Sequence, residues 1–116
     1  MRYLTPKRLR AVYGMLLAFP PFSRWKMPEP EEVDFVVLRG KELCGEWTLD
    51  DPTHQIRISK PRHAHFINVV MTMAHEMVHL HQYEARTYND DDPHNEAFHT
   101  AAAQICEIFG FDVGQF

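Results

Sequence analysis

The sequence predicts an α+β fold: one helix, a small three-stranded antiparallel sheet, then two more helices. Three observations predict it. Apolar residues recur at helical spacing near the start and through the second half of the chain. Between those stretches lie three short segments rich in Val, Ile, Phe and Trp, separated by turn formers. Helix, sheet, then paired helices is an α+β order, without the strand–helix alternation of a parallel sheet. The 116 residues, 45% apolar and 24% charged, suit a single domain over residues 1–116 with one real core and exclude a disordered tail.

The first helix starts at Thr5-Pro6, a cap followed by the residue that gives up an N–H no helix partner needs. Leu9, Val12, Tyr13, Leu16 and Leu17 form its apolar stripe, and Lys7, Arg8 and Arg10 its polar face. Four prolines between Pro20 and Pro30 then forbid regular structure. The β-like segments are 33–38, 44–49 and 55–59, broken by Arg39-Gly40-Lys41 and Asp50-Asp51-Pro52, and their close spacing predicts an antiparallel meander. Pro61 marks the change to a helix over about 63–84, with Ile67, Val70, Met71, Ala74 and Val78 along one side. After a polar loop, Asp92-Pro93 repeats the cap-then-proline signal. Phe98, Ala101, Ala102, Ile105 and Phe109 carry the last stripe, and Gly110 is its C-cap.

Charge and cysteine usage remove several function classes. With 12 Lys+Arg against 16 Asp+Glu, the formal charge of −4 speaks against a general nucleic-acid binder, although half the basic residues fall within residues 2–26. Two Cys, at 44 and 106, cannot build a disulfide framework or a four-Cys zinc site; unpaired thiols imply a reducing, cytoplasmic setting. No apolar run reaches the roughly 18–20 residues of a membrane span. The basic residues ahead of the apolar run 11–19 imitate a signal peptide, but Pro20-Pro21-Phe22 follows in place of a small-x-small cleavage site.

Histidine, with eight copies, is the anomaly. His75-Glu76-Met77-Val78-His79 is an HExxH motif in the middle of the second helix. Residues four apart share a helix face, so both imidazoles point the same way and can meet one Zn2+ at about 2.0–2.1 Å each. Glu76 sits beside the first ligand, within reach of a water on the ion. A catalytic zinc needs a third protein ligand and one open position. The metzincin extension is excluded, because Gln82 and Ala85 stand where its glycine and third histidine would be. His81 projects to another face, and Glu96 is the candidate for a thermolysin-like site. His94 is better placed, since it shares the core-facing side of the third helix with Phe98.

HExxH followed fifteen positions later by His94-x-x-x-Phe98, with Gly45-Glu46-Trp47 and Ile56-Arg57-Ile58-Ser59 ahead of it, resembles the SprT-like zinc metallopeptidases. The resemblance implies a zincin-like fold, zinc held by His75, His79 and His94, and Glu76 as catalytic base in peptide-bond hydrolysis. It also implies a protein or peptide substrate, lying extended against a sheet edge. One departure is Asn95, where the family usually has glycine. It reads here as the next most tolerant residue for unusual backbone angles. No Cys cluster follows the motif, so the chain resembles a compact stand-alone version of bacterial or phage type.

The remaining histidines take plain readings: His54 in a turn, and His63 and His65 near a helix start, are exposed polar residues. Tyr83, Tyr88, His99, His81 and Gln82 are read as surface or packing residues ahead of helpers at the metal. Asp90, Asp91 and Asp92 form a solvated loop complementing a helix N-terminus. Two other function classes compete: a zinc-stabilised binding module without turnover, which an intact Glu76 disfavours, and a DNA-associated protein using the basic residues of 2–26. Nothing in the pattern specifies an oligomer.

Overall fold

The computed structural model describes residues 3–50 and 52–116 and is an α+β fold. Helix α1 (Pro6–Leu17) begins as its sequence dictates, with the Thr5 hydroxyl accepting the Arg8 N–H at 3.2 Å. Leu9, Val12, Tyr13 and Leu16 are its buried face. The proline-rich connector is pinned to that helix by the Tyr13 hydroxyl, which donates to the Pro28 carbonyl at 2.6 Å. Lys7, Arg8 and Arg10 are exposed; the Arg8 guanidinium donates to the Tyr3 carbonyl, and that of Arg10 lies over the Phe35 ring. Arg2, assigned to the same basic cluster, is outside the described residues. No described helix is long and apolar enough to cross a membrane.

Three strands follow: β1 (Val33–Leu38), β2 (Gly45–Asp50) and β3 (Thr53–Ser59). Their order is β1-β3-β2, with β3 antiparallel to β2 and parallel to β1. The antiparallel meander expected from the sequence is therefore corrected to a mixed sheet. Only β2 and β3 are joined by a two-residue connection, at 51–52, of which Asp51 is outside the described residues. The loop 39–44 instead carries the chain past the end of β3, so β3 slots between the other two. The reason is burial: β3 holds His54, Ile56, Ile58 and Ser59 inside, more than either neighbour, and the most buried strand takes the centre.

Helix α2 (Phe66–Glu84) crosses the sheet and packs against α1, β2, β3 and α3 (Glu96–Phe109). Contact on so many sides explains why Val69, Met73, Met77 and Leu80 are buried together with Val70, Ala74 and Val78. The single stripe expected from the sequence is too narrow, and Ile67, assigned to it, is 54% exposed. Helix α2 ends with Arg86 in the left-handed region (φ 62°), while Arg86 N–H bonds to Tyr83 and Thr87 N–H to Gln82. This pairing is a Schellman stop that satisfies the last carbonyls of α2 and turns the chain back. Helix α3 starts later than Asp92-Pro93 suggested: Asn95 is its N-cap, and its Oδ1 accepts the Phe98 N–H at 3.1 Å. Gly110 closes it at φ 77°, as expected.

The expected stripe and the observed buried face of α2 differ in a measurable way. Met73→Ala removes a fully buried side chain and is expected to cost about 2–5 kcal/mol of stability in urea denaturation. Ile67→Ala is expected to stay within about 0.5 kcal/mol. Equal losses would mean that the Ile67 face is buried.

Candidate metal centre

His75 and His79 lie one turn apart on α2 with ring centroids 5.1 Å apart. His94 comes from the residue just before the α3 cap, and its ring lies 5.0 Å from His75 and 5.1 Å from His79. Phe98, in the first turn of α3, packs on all three rings at 4.9, 5.0 and 4.5 Å. The expectation that His94 lies within the helix is corrected. It precedes the cap, and Phe98 supports it from there.

These three residues fit a metal ion. One nitrogen from each lies within 4.8 Å of the others, and His75 Nε2 is 3.2 Å from His94 Nε2. Two nitrogens on one tetrahedral ion at about 2.0–2.1 Å would stand roughly 3.3 Å apart. The Phe116 carbonyl lies 2.5 Å from His75 Nδ1 and can only accept, so Nδ1 carries the proton and the Nε2 lone pair is free. His79 Nδ1 is 3.0 Å from Gln82 Oε1. An all-imidazole donor set suits Zn and also Cu, Ni and Fe.

Glu76 is 6% exposed and turns toward the sheet, where the Trp47 backbone N–H faces its carboxylate. Strand β2 approaches α2 this closely because Gly45 has no side chain: a Cβ there would meet Thr72 Cγ2 at 2.7 Å. Trp47 is itself fixed. Its indole N–H donates to His54 Nδ1 at 3.0 Å, so His54 must carry its proton on Nε2, which donates to Glu84 Oε1 at 2.6 Å. A cavity of about 270 Å³ opens beside Glu76 and His75, walled by Cys44, Gly45, Thr72 and Phe116.

The other candidates sort clearly. Glu96 is exposed and lines a separate hollow with Trp25 and His81. His81 stacks on Trp25 at 3.7 Å, away from the three-histidine cluster. Tyr88 faces His79 at 5.8 Å, whereas Tyr83 packs on Trp47 and His54, and His99 is exposed beside Phe98. His54 and His63, read as exposed, are buried at 4% and 2%. His63 bonds the Ser59 carbonyl and the Thr72 hydroxyl, tying β3 to α2. His65 and Asp90–Asp92 are exposed as expected, but the acidic loop ends short of α3, whose first turn carries Glu96 instead. Both cysteines are free, Cys106 buried and Cys44 exposed. Gln82, Trp47, His54 and Phe116 are the site residues that sequence reasoning missed. Gln82 alone left a signal, its position one turn beyond His79.

Burial acts on the site with one cause and two signs. It pushes Glu76 up to about 7, opposed by the Trp47 N–H and reinforced by the Glu46 carboxylate. It pushes His79 down to about 4, opposed by the Gln82 bond and reinforced by His75 and His94. His75 is lowered by burial too, opposed by its bond to Phe116 and reinforced by His94. Both helix histidines are therefore neutral at neutral pH, the form that ligates metal.

The signs fix how the metal-free protein responds to pH. His79 has its folded pKa below the unfolded 6.5, so stability is lost as pH falls from about 6.5 toward 4. Glu76, raised from 4.5 to about 7, works oppositely, and stability is lost as pH rises through that window. Glu76→Gln removes only the second effect. The metal-free variant is expected to be more stable than the parent at pH 8 by on the order of 2–3 kcal/mol in urea. No gain at pH 8 would show that the carboxylate bears no burial penalty.

A search of curated proteins finds no match to this chain. The family model described as the SprT-like family matches residues 22–115, a span that takes in the whole sheet, α2, α3 and all three clustered histidines. On that match, with the motif spacing and the converging imidazoles beneath it, the chain belongs to the SprT-like family.

Proposed function

We propose that this chain is a zinc-dependent endopeptidase, its residues 1–116 forming one catalytic domain. The carrying observation is the convergence of His75, His79 and His94 with the buried Glu76 carboxylate next to them at the mouth of a cavity. His75, His79 and His94 would hold the zinc, which when bound supplies Lewis-acid polarisation of the scissile carbonyl and acidifies a water. Glu76 is the general base, taking a proton from the attacking water and delivering it to the departing amine nitrogen. Burial, which keeps this carboxylate near neutral in proton affinity, suits both halves of that task. Strand β2 is the sheet edge on the side of Glu76, and we assign it as the rail along which an extended peptide lies. Free thiols at Cys44 and Cys106 agree with work in a reducing compartment. The competing reading, a zinc-stabilised module without turnover, gives no reason to bury an acidic side chain beside an open donor set.

The test uses purified protein, bound-metal analysis and an unfolded protein substrate. Parent and Glu76→Gln are expected to hold equal zinc, with hydrolysis reduced about 10²–10⁴-fold in the variant. Zinc loss in Glu76→Gln would make the carboxylate a ligand and overturn its role as base. His94→Ala is expected to lower zinc occupancy and Glu96→Ala to leave it unchanged; the reverse would move the site to a Glu-ligand class.

A further inference from the structure

Gln82 is 1% exposed and makes two side-chain bonds, one to each half of the metal centre. Its Oε1 is 3.0 Å from His79 Nδ1 on α2, and its Nε2 is 3.0 Å from the Oδ1 of Asn95, the residue following His94. The proton positions follow from backbone groups whose roles are fixed. The Phe98 N–H can only donate, so the Asn95 atom 3.1 Å from it is the carbonyl oxygen. The Thr87 carbonyl can only accept, which agrees: Asn95 Nδ2 donates to it at 3.0 Å. An oxygen at Asn95 requires the Gln82 amide nitrogen to face it, and therefore the Gln82 oxygen to face His79. His79 Nδ1 must then donate, leaving the Nε2 lone pair as the one available to an ion.

The same bonds hold the loop. Thr87, delivered to Gln82 by the turn that ends α2, receives one arm of Asn95, and the other arm caps α3. Asn95 itself has ordinary extended backbone (φ −77°, ψ −172°). Its side chain, and no unusual backbone angle, is what the position uses, contrary to the sequence expectation.

We propose that Gln82 and Asn95 are positioning residues that form a clasp, setting the tautomer of His79 and holding His94 against α2 before any ion arrives. The inference rests on the metal-site reading above but not on turnover. Its test is the affinity for Zn2+ alone, by chelator competition, together with the His79 tautomer from side-chain 15N spectra of metal-free protein. The parent is expected to show His79 protonated on Nδ1. Gln82→Leu is expected to lose that preference and bind Zn2+ about 10–100-fold more weakly. Asn95→Ser keeps a hydroxyl that can cap α3 but cannot span to Gln82, so α3 should still form, with a partial loss of thermal stability from the unpaired Gln82 amide, while Zn2+ affinity falls about tenfold. Parent-like Zn2+ affinity in Asn95→Ser, or an Nε2-protonated His79 in the metal-free parent, would overturn the clasp even if Gln82→Leu fails to fold. A parent that binds no Zn2+ would instead sink the metallopeptidase reading itself.

Discussion

The structure depends on burying α2 on nearly all sides while that helix carries Glu76, His79 and Gln82 among its buried residues. Placing such groups out of water is costly unless each finds a partner. Each does: Glu76 faces the backbone N–H of Trp47 on β2, His79 takes the Gln82 amide, and Gln82 takes Asn95. Among the described residues no buried side-chain nitrogen or oxygen is left without a hydrogen bond. Protein groups therefore hold the arrangement, with one nitrogen of each clustered histidine turned toward the other two. One desolvating environment also keeps the His75 and His79 imidazoles unprotonated and the Glu76 carboxylate basic, the states that suit a hydrolytic metal site.

The supporting structure reaches the site from both sides of α2. On the sheet side, Gly45 admits β2 to close range, and the run Glu84–His54–Trp47 holds the strand whose N–H faces Glu76. Glu84 ends α2, so this run ties the helix that bears His75 and His79 back to the strand that faces Glu76. On the α3 side, Phe98 lies against all three imidazoles. His75 is oriented from further along the chain, by the carbonyl of Phe116. The partners of the clustered histidines thus come from α2, the α3 cap and the segment beyond α3, three stretches that only tertiary packing brings to one place.

How much of this was readable can be argued residue by residue. The start of α1 at Thr5-Pro6, the three strands to within two residues, the end of α2 at Glu84 and the Gly110 cap all follow from local chemistry and stand. The start of α3 does not, because Asp92-Pro93 and Asn95 offer competing caps. Asn95 prevails because its side chain also binds Gln82 and Thr87, partners invisible along the chain. The stripe on α2 was drawn too narrow since an amphipathic pattern assumes one wet face, and this helix has packing on several. His54 and His63 looked like loop residues by their polar neighbours, yet each is buried against a specific acceptor.

By itself the sequence determined the local elements and, through the four-residue spacing of His75 and His79, the meeting of two imidazoles on one helix face. A fixed helical repeat makes that pair a local property, and the same repeat places Glu76 next to it. Only the tertiary structure decided that β3 lies between β1 and β2, that β2 is the edge facing Glu76, and which protein groups orient each histidine. Those outcomes turn on burial and on bonds between residues far apart in sequence. No periodicity encodes them, because what selects each partner is the need to satisfy a polar atom once packing has removed its water.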